Sequence, residues 1–211
     1  MILRLYHAIK RRIVIYNFEK KHPNLLWSNK DLVYNDIIDK GVGNKIKIGK
    51  NSLLQNCSIT FNGSKCTLEI KDNVRLWNVS FWFEDVEGMI SVGSNTTMEK
   101  GCQFASVEGA KIVIGEDCMF SHDIDVRTSD SHSVINMKGE RINPSKDIKI
   151  GNHVWLGIRS TILKGSEIGN NCVVSACSLV TSKTNWESNC IIGGVPAKIL
   201  KNDINWKRER I

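Results

Sequence analysis

Residues 148–157 read IKIGNHVWLG. Ile148, Ile150, Val154 and Leu156 are spaced for a strand, yet an ordinary strand ends after about five or six residues. Here the apolar beat runs on at a step of six, through Ile150, Leu156, Ile162, Ile168, Val174, Val180, Trp186 and Ile192. Four residues on, a small side chain recurs at Val154, Ser160, Ser166, Cys172, Ser178 and Cys190, and glycine directly follows Ile150, Leu156, Ile168 and Ile192. A helix repeats at 3.6 and a strand at two, so neither accounts for six.

A coil with three short flat faces, one hexad per face, does account for it. The large aliphatic fills the interior, the small residue sits where the backbone bends, and glycine relieves the corner. Such coils bury their interior by stacking on one another. Upstream, Ile48, Ile70, Val92 and Ile114 recur every 22 residues. The surplus over eighteen falls in FNGSK, FEDVEG and SVEGA, turn-rich stretches that can bulge from one corner of successive coils.

The pattern predicts an all-β solenoid of about seven coils, from near Ile46 to near Ile199. Residues 1–45 are read as a lead-in, 46–200 as the solenoid and 201–211 as a tail. MILRLYHAIKRRIVIYNFEK reads as a basic amphipathic helix, with Ile2, Leu5, Ile9, Ile13 and Tyr16 on one stripe, and PAKILKNDINWKRERI as a shorter C-terminal cap. These two segments are expected to cover the open ends. The basic helix also suits contact with a membrane surface.

A chain of 211 residues with 41% apolar content and three prolines is expected to fold compactly. No window has the 18 apolar residues of a membrane span, and Arg4, His7, Lys10, Arg11 and Arg12 break the N-terminal run, unlike a signal peptide. A cytoplasmic location is the expectation. Seven cysteines without a C-x-x-C pair point to reduced thiols, and Cys102, Cys118, Cys172 and Cys190 occupy small slots of the coil, as packing groups. The formal charge of +7 favours an anionic partner. Because Lys and Arg are spread over both termini and one loop, without a recognition helix, nucleic acid is not that partner.

The hexad fails between Val126 and Ile148, where residues 127–147 read RTSDSHSVINMKGERINPSKD. A polar loop this long in a regular solenoid is a functional candidate, and it carries His132 beside Asp130 and Ser131. His122 and His153 stand at coil positions where an exposed polar residue would serve. In RLWNVSFWFED, the aromatics Trp77, Phe81, Trp82 and Phe83 suit either stacking on a sugar ring or packing, with packing the commoner use.

The ordered set DSHSV, RIN, DIKIGNHVWLG, the hexads and IIGGVPAKI resembles the hexapeptide-repeat acyltransferase superfamily. Within it, the pattern is most similar to the O-acetyltransferases of bacterial polysaccharides, including those acting on sialic-acid capsules. The resemblance implies a left-handed parallel β-helix and a homotrimer with sites between subunits. It implies acetyl-CoA as donor and a carbohydrate hydroxyl as acceptor. His132 is then the general base, with Asp130, close in sequence, the residue that could orient it. Trp155 lies beside the pantetheine arm and the thioester. The amide of Ile158, following Gly157, faces the oxyanion, at a position where relatives often carry a small residue. Ala176 and Thr181 meet the cofactor, and Lys198 and Lys201 neutralise its phosphates.

Transfer by this route is direct and needs no Ser or Cys nucleophile. No metal is expected: a hydratase of the carbonic anhydrase type on this fold requires three converging histidines, and no H-x4-H set is present. An amino-sugar N-acyltransferase and a non-catalytic scaffold stay open as alternatives. So does the acceptor, among sialic acid, galactose, an amino sugar and a small glycoside.

Overall fold

The computed structural model describes residues 12–17, 19–27, 34–182 and 185–211. The chain winds as a left-handed parallel β-helix of about seven turns. Each coil contributes one short strand to each of three flat sheets. The first sheet stacks Leu26–Trp27, Lys45–Ile48, Thr67–Ile70, Met89–Val92, Lys111–Ile114, Ile148–Ile150, Glu167–Ile168 and Asn185–Trp186. The second runs from Leu53–Gln55 through Arg75–Trp77, Thr97–Met98, Met119–Phe120, Trp155–Leu156 and Val173–Val174 to Ile191–Gly194. The third runs from Asp36–Asp39 through Ser58–Phe61, Ser80–Phe83, Gln103–Ser106, Asp125–Arg127 and Thr161–Leu163 to Leu179–Val180.

The register explains the beat. Ile48, Ile70, Val92, Ile114, Ile150, Ile168 and Trp186 pair in one column across the first sheet. Leu156, Ile162, Val174, Val180 and Ile192 point inward on the other two sheets and are fully buried. The side chain of Trp186 lies outside the described residues. In the wider upstream coils phenylalanines fill the interior, with Phe61 stacked on Phe83 at 4.7 Å and Phe81 on Phe104 at 5.4 Å. Each side chain thus rests on its counterpart one coil away, which is why no coil is stable alone.

The corners differ from the expectation that glycine supplies the bend. The left-handed conformation falls three residues after Ile150, Leu156, Ile162, Ile168, Val174 and Trp186, at His153, Arg159, Gly165, Asn171, Cys177 and Asn189, with φ between 53° and 75°. Asparagine, the commonest of these corner residues, tolerates this region. The glycines that directly follow the aliphatics serve close approach instead. A Cβ on Gly157 would lie 2.6 Å from the Ala176 nitrogen and 2.7 Å from the Val174 oxygen. One on Gly151 would lie 2.6 Å from the Asn170 side chain.

The solenoid begins upstream of Ile46, because Leu26–Trp27 pairs with Lys45–Ile46 and Asp36–Asp39 with Ser58–Phe61. Residues 12–17 and 19–21 are helical. Of the proposed apolar stripe, Ile2, Leu5 and Ile9 lie outside the described residues, while Ile13 is 55% and Tyr16 64% exposed. That part of the stripe faces away from the coil, and buried Leu25 packs into the core there instead. At the other end Ala197–Lys201 pairs antiparallel with Ile191–Gly194 and closes the exposed edge of the second sheet. Among the described residues no helix is long and apolar enough to cross a membrane.

Candidate active site

The expected site residues fall into two groups on different corners. The first is the row expected to meet the donor, called the donor row. Pairing of Trp155–Leu156 with Val173–Val174 sets Gly157 and Ile158 one coil from Ser175 and Ala176. Two bonds fix the step, from the Gly157 amide to the Val174 carbonyl and from the Cys177 amide to the Ile158 carbonyl, each 2.8 Å. Trp155 points outward from the second sheet and is 37% exposed, as is Ile158.

The amides of this row differ from several at the neighbouring corner. There, in four coils, the second amide past the inward aliphatic is satisfied by a side chain of the next coil. Lys50, Glu116 and Asn152 donate to Asp72, Asn152 and Asn170 at 2.7–2.9 Å. The equivalent amides of Ile158 and Ala176 have no acceptor among the described residues, whereas that of Gly194 donates to Ser178 Oγ. Two N–H groups one coil apart, without an acceptor among the described residues, are what a carbonyl or oxyanion would use.

Lys201 is in register with Ile191, whose strand adjoins Val173–Val174 and then Trp155–Leu156. Three strand spacings put it about 14 Å from Trp155 on the same sheet. Lys198 and Lys201 are both exposed. Thr181 follows Leu179–Val180 on the third sheet, a different face from Trp155.

The second group is the excursion loop. It leaves the coil after Asp125–Arg127 and rejoins at Ile148–Ile150, folding on itself through an antiparallel bridge between Ile135 and Arg141. Asn143 is its hub: Oδ1 accepts from the Val134 amide at 2.7 Å, and Nδ2 donates to Asp130 Oδ2 and to the His132 carbonyl, both at 2.8 Å. Lys164, on the next coil, donates to Asp130 and to the Asn143 carbonyl. Glu108 binds Arg141 at 2.6 Å and the Ser145 amide at 3.2 Å. The His132 backbone is therefore clamped, and its exposed ring has no hydrogen-bond partner among the described residues.

The Asp130 carboxylate is engaged with Lys164 and Asn143, so it holds the loop rather than the imidazole. Its hydrogen bond to Lys164, then that to Asn143, holds its pKa below the usual range. Glu108 is lowered likewise, chiefly by Arg141. Asn143, Lys164, Glu108 and Arg141 were not anticipated from sequence, although Asn143 stands in the quoted RIN.

Between the loop corner and the donor corner of one chain lies the third sheet, and its outer face carries a groove of about 530 Å³ that reaches Ser131. Its walls include Trp82, Gln103 and the Asp125–Arg127 pair, joined through Arg127 Nε at 2.7–2.8 Å. Trp82 is 42% exposed, while Phe81 and Phe83 are core. The aromatic cluster is thus divided, with its phenylalanines packed and Trp82 turned to the groove. Trp77 is exposed on the second sheet.

Two histidines set aside in the sequence have structural settings of their own. His122 is one coil below Ile158 in the donor row, by the pairing of Phe120 with Leu156, and its Nδ1 is buried without a partner among the described residues. A coil-equivalent distance of 36 residues to Ile158 was the available signal. His153 is half-buried under the C-terminal tail.

Six of the seven cysteines are buried and all are free. Burial pushes the Cys102 thiol up to about 12 and that of Cys118 to about 11. These thiols stay protonated near neutrality and are poor nucleophiles.

A bacterial transferase hexapeptide family model of six repeats matches residues 147–182. The polysialic acid O-acetyltransferase of Neisseria meningitidis is 40% identical over 170 residues, covering 80% of this chain and 78% of the relative. The crystal structure of the polysialic acid O-acetyltransferase OatWY superposes with a TM-score of 0.68 at 32% identity, covering 89% of this chain and 92% of that one. That of the polySia-specific acetyltransferase NeuO gives 0.68 at 30% identity, with 83% of each chain covered.

Proposed function

The chain belongs to the hexapeptide-repeat O-acetyltransferases, and from that membership we propose that it moves an acetyl group from acetyl-CoA to a hydroxyl of an acidic capsular glycan, polysialic acid foremost. The acceptor is supported by the polysialic acid O-acetyltransferases matched over most of this chain. The observation that carries the chemistry is the free His132 ring on a clamped backbone, together with the unpaired Ile158 amide.

In this reading His132 removes the proton of the acceptor hydroxyl as its oxygen attacks the thioester carbonyl. The developing oxyanion accepts from the Ile158 amide. Collapse expels the CoA thiolate, and the imidazolium returns the proton to it. Trp155 flanks the pantetheine arm, Gly157 lets the backbone approach, Ala176 offers the next amide along the arm, and Lys201 with Lys198 stands toward the phosphates. Thr181, on another face, fits a contact from a neighbouring subunit better than one from its own.

The loop corner and the donor corner of one chain are separated by the width of the third sheet. This separation supports a homotrimer in which the loop of one subunit meets the donor row of the next, and the groove beside Trp82 then receives glycan flanking the reacting sugar. Incubation of the purified protein with acetyl-CoA and a panel of acidic and neutral glycans, followed by mass spectrometry, tests the reading. Acetylation of polysialic acid above the neutral glycans is the expected result.

A further inference from the structure

The chain beyond Lys201 takes no part in the reaction above, yet it is fastened beside Trp155. After Ala197–Lys201 the chain turns back along a corner of the solenoid, where the Ile204 amide donates to the Asn189 carbonyl at 3.0 Å. Further along, Trp206 lies flat on the His153 ring, with centroids 4.1 Å apart and planes within 8°. Its indole N–H donates to the His153 carbonyl at 2.8 Å. Arg208 ends the run, donating to Asp117 Oδ1 at 3.1 Å, Thr97 Oγ1 at 2.9 Å and the Cys118 carbonyl at 2.8 Å.

His153 closes the circuit. Its Nδ1 is 2.7 Å from Asp117 Oδ2 and its Nε2 is 3.0 Å from the Trp206 carbonyl oxygen. Both partners are acceptors, so the ring serves both when each nitrogen carries a proton. The product of this network is the placement of one indole against another: Trp206 is buried, and its ring centroid is 6.0 Å from that of Trp155 at a tilt of 49°. Trp155 is otherwise a half-exposed side chain on a two-residue strand, and among the described residues Trp206 is the aromatic ring against it. An aromatic neighbour at this separation biases such a rotamer roughly threefold to tenfold.

We propose that the tail is a positioning clasp for the acetyl-donor site, in which Trp206, held by His153, Asp117 and Arg208, sets the indole of Trp155 against the pantetheine arm. This rests on the reading that Trp155 flanks the donor. Trp206 is a positioning residue, since it acts through Trp155. A tail that merely tied coils together would contribute to stability and leave donor binding untouched.

The test is CoA binding by titration calorimetry, without acceptor, on the full-length wild type, W206A, W206F and R208A, beside their unfolding temperatures. The clasp predicts that W206A weakens CoA threefold to tenfold, that W206F stays within twofold of wild type, and that R208A, which unties the tail but keeps both indoles, weakens it in the same direction. In turnover, the acceptor KM moves less than twofold. W206A that melts lower but binds CoA as wild type overturns the proposal. Should W206A fail to fold, unchanged CoA binding by R208A overturns it equally. Wild type that does not bind CoA at all removes the donor-site reading first and the clasp with it.

Discussion

One amide nitrogen, Nδ2 of Asn143, donates both to the Asp130 carboxylate and to the carbonyl of His132, at 2.8 Å each. The loop's histidine is therefore aimed through its backbone, with its ring left free. Asn143→Ala removes these two bonds and the two that Oδ1 accepts, from the Val134 amide and, at 3.4 Å, from Arg141 Nε. Each net hydrogen bond is worth about 1 kcal/mol. Turnover of N143A is expected to fall tenfold to a hundredfold while the KM for acetyl-CoA holds. Steady-state kinetics in both substrates checks it.

Gly157→Ala forces a Cβ to within 2.6 Å of the Ala176 backbone nitrogen, where no flexible side chain can yield. Backbone overpacking of this kind costs about 1–3 kcal/mol. The unfolding temperature should drop by several degrees, and CoA binding should weaken because the displaced strand carries the Ile158 amide. Gly139→Ala, whose added methyl meets nothing within 4 Å but whose φ is +82°, separates backbone strain from crowding and should leave CoA binding intact.

Acid should release the loop. Asp130 and Glu108 both have lowered carboxyl pKa values, through Lys164 and Arg141 respectively. A carboxylate whose folded pKa is depressed contributes stability that is fully present above its unfolded value, near 4, and is lost as pH falls through the folded value. Amide exchange at Val134, Ile142 and Lys146, corrected for intrinsic rates, should stay slow at pH 5 and rise below about pH 4. A loop equally protected at pH 3 contradicts the clamp.

Thiol reactivity should follow burial. Cys177 alone is exposed, at a left-handed corner next to the Ile158 carbonyl, while burial raises the pKa of Cys57, Cys66, Cys102, Cys118 and Cys190. At neutral pH an aromatic disulfide reagent should titrate no more than one thiol in the native protein and all seven after unfolding.

The interior of the solenoid was readable because one side chain recurs at one structural place, and Ile150, Leu156 and Ile162 need only be counted. The corners were misread for a physical reason: glycine answers both to positive φ and to close approach, and spacing does not distinguish them. Only φ shows that His153 and Arg159 make the bend while Gly151 and Gly157 make room. The loop histidine was legible as a break in the beat. Its support was not, since Glu108 meets Arg141 across 33 residues and His153 meets Trp206 across 53, pairings that follow from how the coils stack.

The most direct test of the central claim is mass spectrometry of polysialic acid after incubation with acetyl-CoA and either wild type, H132A or H122A. The account predicts O-acetylated sugar with wild type and loss of turnover by at least a hundredfold in H132A, the usual weight of a general base. H122A, which stands in the donor row but not in the loop, should keep turnover within tenfold. Undiminished acetylation by H132A, with CoA binding intact, would contradict it.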